Sequence, residues 1–251
     1  MIFSPLEQFQ VYPLFFFNLG SFDLSFTNSS LILLLGIFSF LLCLTMILSS
    51  NQQIYFVPKH WQVLIETIYS FLLSMVVSNI GEEGQKFFPF IFSIFFFLIV
   101  CNLIGLVPYS FTVTSHLIVT FGLATMVFVG VNVICFRKHK MNIFTLFLPS
   151  GTSLGLAFIL IPIELLSYIF RPLSLAVRLF INMMTGHTLL KIIGGFAWTM
   201  MTSGGILFIA HFLPLLLLVI LMLLEFSVGL IQAYVFTLLT CIYLNDAVNL
   251  H

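Results

Sequence analysis

GILFIAHFLPLLLLVILMLLEFSVGLIQAYVFTLLTCIYL, residues 205–244, is the stretch that decides the fold. Hydroxyls aside, its polar groups are His211, Glu225 and Gln232. A bilayer core needs about twenty apolar residues of helix. A helix over 205–244 extends roughly 60 Å, about twice the hydrocarbon thickness. It must tilt steeply, kink or break, and Pro214 permits a bend. One acid and one amide on a helix this apolar need a reason, because a charged side chain at the bilayer centre costs about 3 kcal/mol or more.

The rest of the chain agrees with a membrane setting. Of 251 residues, 61% are hydrophobic and 6% charged, and the mean hydropathy is +1.22. A soluble domain carries about a quarter charged residues, so eight bases and eight acids cannot solvate a surface of this size. The net charge of zero argues against a nucleic-acid partner or an acidic surface. The 32 phenylalanines read as apolar filler. Cys43, Cys101, Cys135 and Cys241 lie in or at the ends of apolar runs with no CxxC spacing. They read as small buried hydrophobes, with no disulfide or metal site. The opening MIFSPLEQFQVYP has neither a basic leader with an apolar core nor an Arg- and Ser-rich transit character, so insertion without a cleaved address is expected. Asn28-Ser29-Ser30 fits a glycosylation acceptor, a triplet of low specificity.

Working back from 205–244, a second long run covers 152–193, with Pro162 and Pro172 inside it and Gly194-Gly195 and Gly204-Gly205 after it. Shorter apolar runs cover 31–49, 87–107 and 116–136, the last closed by RKHK at 137–140. Residues 60–80 differ. Gln62, Glu66, Ser70 and Ser74 recur every four residues, with Leu64, Ile65, Ile68, Leu72, Met75 and Val76 between them, the pattern of an amphipathic helix lying at the interface. Lys59, Lys86 and RKHK then fall on one side, as the positive-inside tendency requires. The expected fold is all-α: a polytopic membrane protein with about five transmembrane helices and one amphipathic interfacial helix, its last two helices long and steeply tilted. Residues 1–30 form an outer N-terminal segment, 31–49 a helix, 60–80 the amphipathic helix, 87–136 a helical hairpin and 152–244 a long tilted hairpin, all in one membrane domain. A loop at 194–204 lies outside, and the C-terminus inside.

The long runs hold most of the intramembrane polar groups: Glu164, Arg171, Arg178, Asn182, His187, Glu225 and Gln232, with Asp246 at the final helix end. Glu164, Arg171 and Arg178 recur every seven residues and share one helical stripe. Asn182 is one turn beyond Arg178, and His187 lies about 13 Å further along on roughly the opposite side. Glu225 and Gln232 share a face of the last helix. With the topology above, His187 and Glu225 fall toward the outside and Glu164 and Asp246 toward the inside, with Arg178 between. Groups of this kind mark a proton or ion path, or a buried ion pair. Arg178 is either the divide between two offset half-paths or the structural counter-charge of Glu164 or Glu225. Arg171 either snorkels to a headgroup beside the break at Pro172 or belongs to the path. Glu66 reads as a wet helix face, and His116 and His139 as loop residues. His187 is not expected to hold a metal, because its i+4 neighbour is Lys191.

Four segments carry a resemblance: SLAVRLFINMMTGH (174–187), LEFSVGLIQAYVFTLLTCIYLNDAVNLH (224–251), NLIGLVPYSFTVTSH (102–116) and PIELLSYIF (162–170). Together they resemble the a subunits of rotary F-type ATP synthases in their mitochondrial form, over essentially the whole chain. SPLEQF, YSFTVTSH and YLNDAVNLH are most similar to plant or algal versions. Ile181, Thr185 and the Phe-rich helices depart from the general family pattern in ways that bear on packing rather than chemistry. The resemblance implies a stator subunit whose two long helices face a rotating ring of c subunits, each with one mid-membrane carboxylate. Peripheral-stalk and other membrane-sector subunits are the further partners, and protons the transported ion. By position, His187 and Glu225 would serve an intermembrane-space half-channel, and Glu164 and Asp246 a matrix half-channel. Arg178 corresponds to the family's essential arginine, and Asn182 and Gln232 to its polar neighbours. The chain would not be an enzyme on its own, with no catalytic residues, cofactor or metal. It would sit in the mitochondrial inner membrane, its N-terminus toward the intermembrane space and its C-terminus toward the matrix.

Two other classes fit less well. A transporter acting alone should show internal repeats around a central site, and the polar groups here cluster in the C-terminal half. A haem-bearing redox subunit needs paired axial histidines, and only His187 and His211 lie on or beside the long runs.

Overall fold

A computed structural model describes residues 4–19, 22–50, 60–107, 110–140 and 154–248. Seven α-helices dominate the described residues: α1 Asn28–Ser50, α2 His60–Ile80, α3 Phe88–Gly105, α4 Leu117–His139, α5 Leu154–Ser203, α6 Ile206–Ala210 and α7 Phe212–Val248. Among the described residues, four helical stretches are long and apolar enough to cross a membrane: Glu82–Gly105, Leu117–His139, Phe158–Ser203 and Leu207–Val248. The fold is that of an all-α polytopic membrane protein. The first expected crossing is helical over Asn28–Ser50, but several of its side chains after residue 39 lie outside the described residues, as do Lys59 and the loop 141–153.

The expected outer loop at 194–204 is not there. α5 continues through Gly194 and Gly195 to Ser203, so the break shrinks to Gly204 and Gly205, with φ of 70° and 64°. Glycine inside a helix costs only about 1 kcal/mol, which the apolar run around it absorbs. A left-handed φ, by contrast, suits a residue without a Cβ, and the chain turns where two of them are adjacent. Pro162 and Pro172 likewise sit inside α5 without ending it. At 50 residues α5 runs about 75 Å, far beyond a perpendicular crossing.

The chain divides into two compact units, each with a portion of both long helices. The first comprises Met1–Phe40, Phe97–Thr120 and Arg178–Ala233. Its N-terminal segment holds a 3-10 turn, Pro5–Phe9, and four very short strands: β1 Pro13–Phe15, β2 Asn18–Leu19, β3 Phe22–Asp23 and β4 Phe26–Thr27. β1 pairs with β4 and β2 with β3, both antiparallel. The ladder leads straight into α1. Thr27 N–H donates to Ser30 Oγ (3.0 Å) and Ser30 N–H to Thr27 Oγ1 (3.4 Å), a reciprocal cap of the helix start. The Asn28 amide accepts from Tyr12 N–H (3.2 Å) and donates to the Gln10 carbonyl (3.2 Å). That structural use accounts for the asparagine of the Asn-Ser-Ser triplet.

The second unit comprises Leu41–Phe96, Phe121–Val177 and Tyr234–His251. α2 buries Leu72, Met75, Val76 and Ile80 along one stripe, the i, i+3, i+4, i+8 spacing of an amphipathic helix. Glu66, Ser70 and Ser74 are exposed, as the periodicity predicts, but so are Val63, Tyr69 and Phe71. The face away from the core is therefore mixed rather than wet. Tyr69 meets Phe88 edge-on, with ring centroids 4.8 Å apart, and Phe71 stands 5.7 Å from the ring of Tyr234 on α7. At the end of α4, Lys138 pairs with Glu83 (2.8 Å) and His139 Nε2 lies 3.2 Å from the Val248 carbonyl oxygen. His139 is thus a helix-end contact rather than a loop residue.

Candidate functional site

In the first unit, the C-terminal part of α5 and the N-terminal part of α7 bring together the polar groups the spacing pointed to. His187 Nε2 lies 3.4 Å from Glu225 Oε1, with side-chain exposures of 17% and 6%. Neither His187 Nε2 nor either Glu225 oxygen makes a hydrogen bond among the described residues. The two groups face each other within reach of a proton transfer, directly or through one water, and leave lone pairs and a ring nitrogen open. Glu225 also lines a cavity of about 230 Å3 together with Asn182, Thr185, Gly186 and a set of leucines. A buried water needs about 10–15 Å3 of such space and two or more polar partners, so this cavity has room for several.

Gly186 makes the arrangement possible. A Cβ there would sit 2.6 Å from Glu225 Oε1 and 2.9 Å from its Cδ, closer than van der Waals contact allows. The carboxyl therefore lies against the bare backbone of α5. One turn back, Asn182 Nδ2 donates to Gln232 Oε1 (3.0 Å), linking the two helices with neutral amides. Gln232 is 4% exposed and its Nε2 has no partner among the described residues.

Sequence reasoning did not single out Asn102. It is 2% exposed, and its Nδ2 donates to the Gly229 carbonyl (3.0 Å), one helical turn from Glu225. A Cβ on Gly229 would lie 3.4 Å from Met183 Cε and 3.7 Å from Asn102 Cβ, so α3, α5 and α7 approach closely at that level. The available signal was an amide near the end of an otherwise apolar run. Beyond α3, His116 stacks on Phe111 at 5.0 Å, and burial pushes its imidazole below the ordinary pKa, leaving it neutral at pH 7.

Arg178 is exposed and makes no ion pair or hydrogen bond among the described residues. A structural pairing with Glu164 or Glu225 is therefore not formed. Its neighbours Leu175, Ala176 and Leu179 are buried, so the helix docks through them and turns the guanidinium outward.

In the second unit, Arg171 is not a headgroup-seeking residue. Its Nη1 donates to Asp246 Oδ2 at 2.9 Å, and its guanidinium lies 5.5 Å from the Tyr168 ring and 5.3 Å from the Tyr243 ring. Asp246 is thus joined to Arg171. Glu164 is half-buried with no hydrogen bond or ion pair among the described residues. No cluster of three or more His, Cys, Asp or Glu side chains suited to a metal occurs among the described residues.

Comparison with known proteins gives one consistent result. The family described as ATP synthase A chain matches residues 30–245. The chain is 52% identical to ATP synthase subunit a of Pylaiella littoralis, covering 100% of both chains. It is 50% identical to ATP synthase subunit a of Chondrus crispus, over 100% of this chain and 98% of that one. It is 48% identical to ATP synthase subunit a of Marchantia polymorpha, again over 100% of both.

Proposed function

We infer the roles of these residues from one premise: the chain belongs to the ATP synthase A chain family, the membrane-sector proton-channel subunit of the F-type enzyme and not a catalytic subunit. It is a multi-pass membrane protein that works with other subunits of that enzyme. Its site is the mitochondrial inner membrane, with α1 as a crossing in addition to the four long apolar stretches, the N-terminus in the intermembrane space and the C-terminus in the matrix. The cluster Arg137, Lys138, Lys140 supports that orientation through the positive-inside tendency.

The exposed faces of α5 and α7 meet a ring of c subunits, each with one carboxylate; peripheral-stalk and other membrane-sector subunits hold the chain against it. Protons enter through the cavity beside Glu225, with His187 and Glu225 as the titrating relay. Asn182 and Gln232 line the approach to the ring as neutral hydrogen-bonding groups. Along α5, Glu164 precedes Arg178 and His187 follows it. Glu164 accordingly serves release to the matrix, and Asp246 stands on that same side. Arg178 cannot lose its proton. It favours the ionised form of an approaching ring carboxylate and denies protons a direct passage from one half-channel to the other.

The observation that carries this reading is the cavity of about 230 Å3 beside the buried Glu225, whose carboxyl lies 3.4 Å from the half-buried His187. A space of this size beside a carboxylate and the Asn182 amide suits a path for water and protons. Two measurements test it. Gly186→Ala places a methyl where the Glu225 carboxyl lies, so proton flux is expected to fall about tenfold with the complex intact, since sub-ångström displacement of a reacting group is costly. Flux at the parental rate would remove Glu225 from the path. Cysteines at the exposed positions Ile181 and Ile231 are expected to crosslink to the c ring. Crosslinks from α1 or α4 in their place would refute the assigned interface.

A further inference from the structure

Among the described residues, every closed-off side-chain nitrogen or oxygen without a hydrogen bond belongs to the first unit. Atoms of Asn102, His187, Glu225 and Gln232 are among them, and so are Thr114 Oγ1 and His116 Nε2, which lie between α3 and α4. A buried polar atom without a protein partner is satisfied by water. The segment between α3 and α4 therefore shares the wet, polar character of the cavity beside Glu225. It also stands at about the same height. Asn102 sits on Gly229, its Nδ2 donating to the carbonyl (3.0 Å). Four successive crossings alternate in direction, so α3 and α7 run antiparallel. Three residues on from Asn102 and four back from Gly229 then lead the same way, at about 1.5 Å per residue. Gly105 is thus brought level with Glu225. A Cβ on Gly105 would lie 2.9 Å from Thr112 Cγ2, so the chain folds back onto α3 there, burying Thr112, Thr114 and Ser115.

His116 joins the inside of this segment to its surface. The residue is partly exposed, yet its Nε2 is closed off and unpartnered. Its backbone carbonyl starts α4 by accepting from Val119 and Thr120 N–H (3.1 and 3.2 Å), a task that does not use the imidazole. The ring stacks instead on Phe111, with centroids 5.0 Å apart and planes inclined by 23°, which fixes its plane. None of the unit's charged groups, Glu7, Asp23, Arg178, Lys191 or Glu225, forms an ion pair with it among the described residues. Burial holds its pKa below the ordinary value, so the ring rests neutral and can accept a proton.

We propose that His116 is a further proton-transfer residue, the first titrating stop of the entry path, passing protons from outer bulk water to the groups around Glu225. The inference rests on the proton-channel reading given above and extends it outward by one group. A neutral ring with its hydrogen on the buried Nε2 takes a proton from water at Nδ1. The resulting imidazolium gives its Nε2 proton to an interior water, from which it reaches His187 or Glu225. Exchange of tautomers restores the starting ring.

The test measures passive proton flux through the membrane sector in vesicles stripped of the soluble sector, with subunit content checked on native gels. His116→Ala is expected to lower flux about tenfold, less than the loss of the inner acid–base groups, because water still reaches the mouth unaided. Added imidazole, a diffusible carrier of the same chemistry, is expected to restore flux to within about threefold of the parent and to leave the parent itself unchanged. His116→Phe keeps the stack on Phe111 but cannot titrate. It is expected to lose as much flux, without rescue, because its ring fills the space imidazole would use. Parental flux in assembled His116→Ala complex overturns the proposal, and so does a loss that imidazole leaves unrepaired. If His116→Ala fails to assemble, His116→Phe decides: reduced flux in an assembled complex supports the relay, and parental flux or failed assembly overturns it. His187→Ala combined with Glu225→Gln, run in parallel, reports on the underlying path. Unchanged flux there refutes the entry reading itself, whereas a loss there beside parental flux in His116→Ala removes His116 alone.

Discussion

Arg178→Ala is expected to reduce proton-driven ATP synthesis to background, a loss of about a hundredfold or more by analogy with removal of a single preorganised electrostatic group, in a complex that still assembles. The second half of that expectation comes from the structure. Removing one partner of a buried ion pair leaves the other stranded and destabilises the fold. Arg178 has no such partner among the described residues and is exposed on α5, while the contacts that dock this turn are made by Leu175, Ala176 and Leu179. Truncation therefore leaves no orphan carboxylate in this chain. In the proposed mechanism, what it removes is the cation that an arriving carboxylate needs in order to ionise, and the barrier between the two half-channels. ATP synthesis in energised vesicles, with subunit content checked on native gels, measures the effect. Parental synthesis in an assembled Arg178→Ala complex would sink the assignment.

His187→Ala combined with Glu225→Gln is the other large effect. Passive proton flux through the membrane sector is expected to fall about a hundredfold, the scale of losing positioned acid–base groups, with the single variants falling less. The two side chains stand 3.4 Å apart, Glu225 buried and His187 half-buried, so in the proposed path either alone still offers a titrating stop. Glu225→Gln is close to isosteric, and the bare backbone at Gly186 accommodates the amide as it does the acid. His187→Ala enlarges a space that is already hydrated in this reading. Neither change is therefore expected to block assembly. Unchanged flux in the combined variant, measured by acidification of vesicles stripped of the soluble sector, would place proton entry elsewhere.

Much of this architecture is legible from periodicity and hydropathy. The long run 205–244 demands a membrane and a helix too long for a straight crossing, and α7 follows it. The sevenfold spacing of Glu225 and Gln232 puts both on one face, and the spacing of Arg178, Asn182 and His187 orders them along α5. Helical geometry repeats regardless of tertiary context, so these relations survive folding. Where the reading failed, the local rule was weaker than its surroundings. Gly194-Gly195 resembles a helix end, but glycine only permits a break. The turn falls at Gly204-Gly205, where a left-handed φ is required.

Hydropathy and spacing alone determine that this chain lives in a membrane, that its last helices are over-long, and which residues can bear charge there. They also order Glu164, Arg178 and His187 along one helix. Tertiary structure alone decides which of those residues meet. It pairs Arg171 with Asp246, leaves Arg178 without a partner among the described residues, seats Glu225 against Gly186 and brings Asn102 onto Gly229. Periodicity specifies a face, but the partner of a face depends on close approach between helices distant in sequence. In an apolar medium that approach is set by small residues and by the need of each buried polar group for a counterpart.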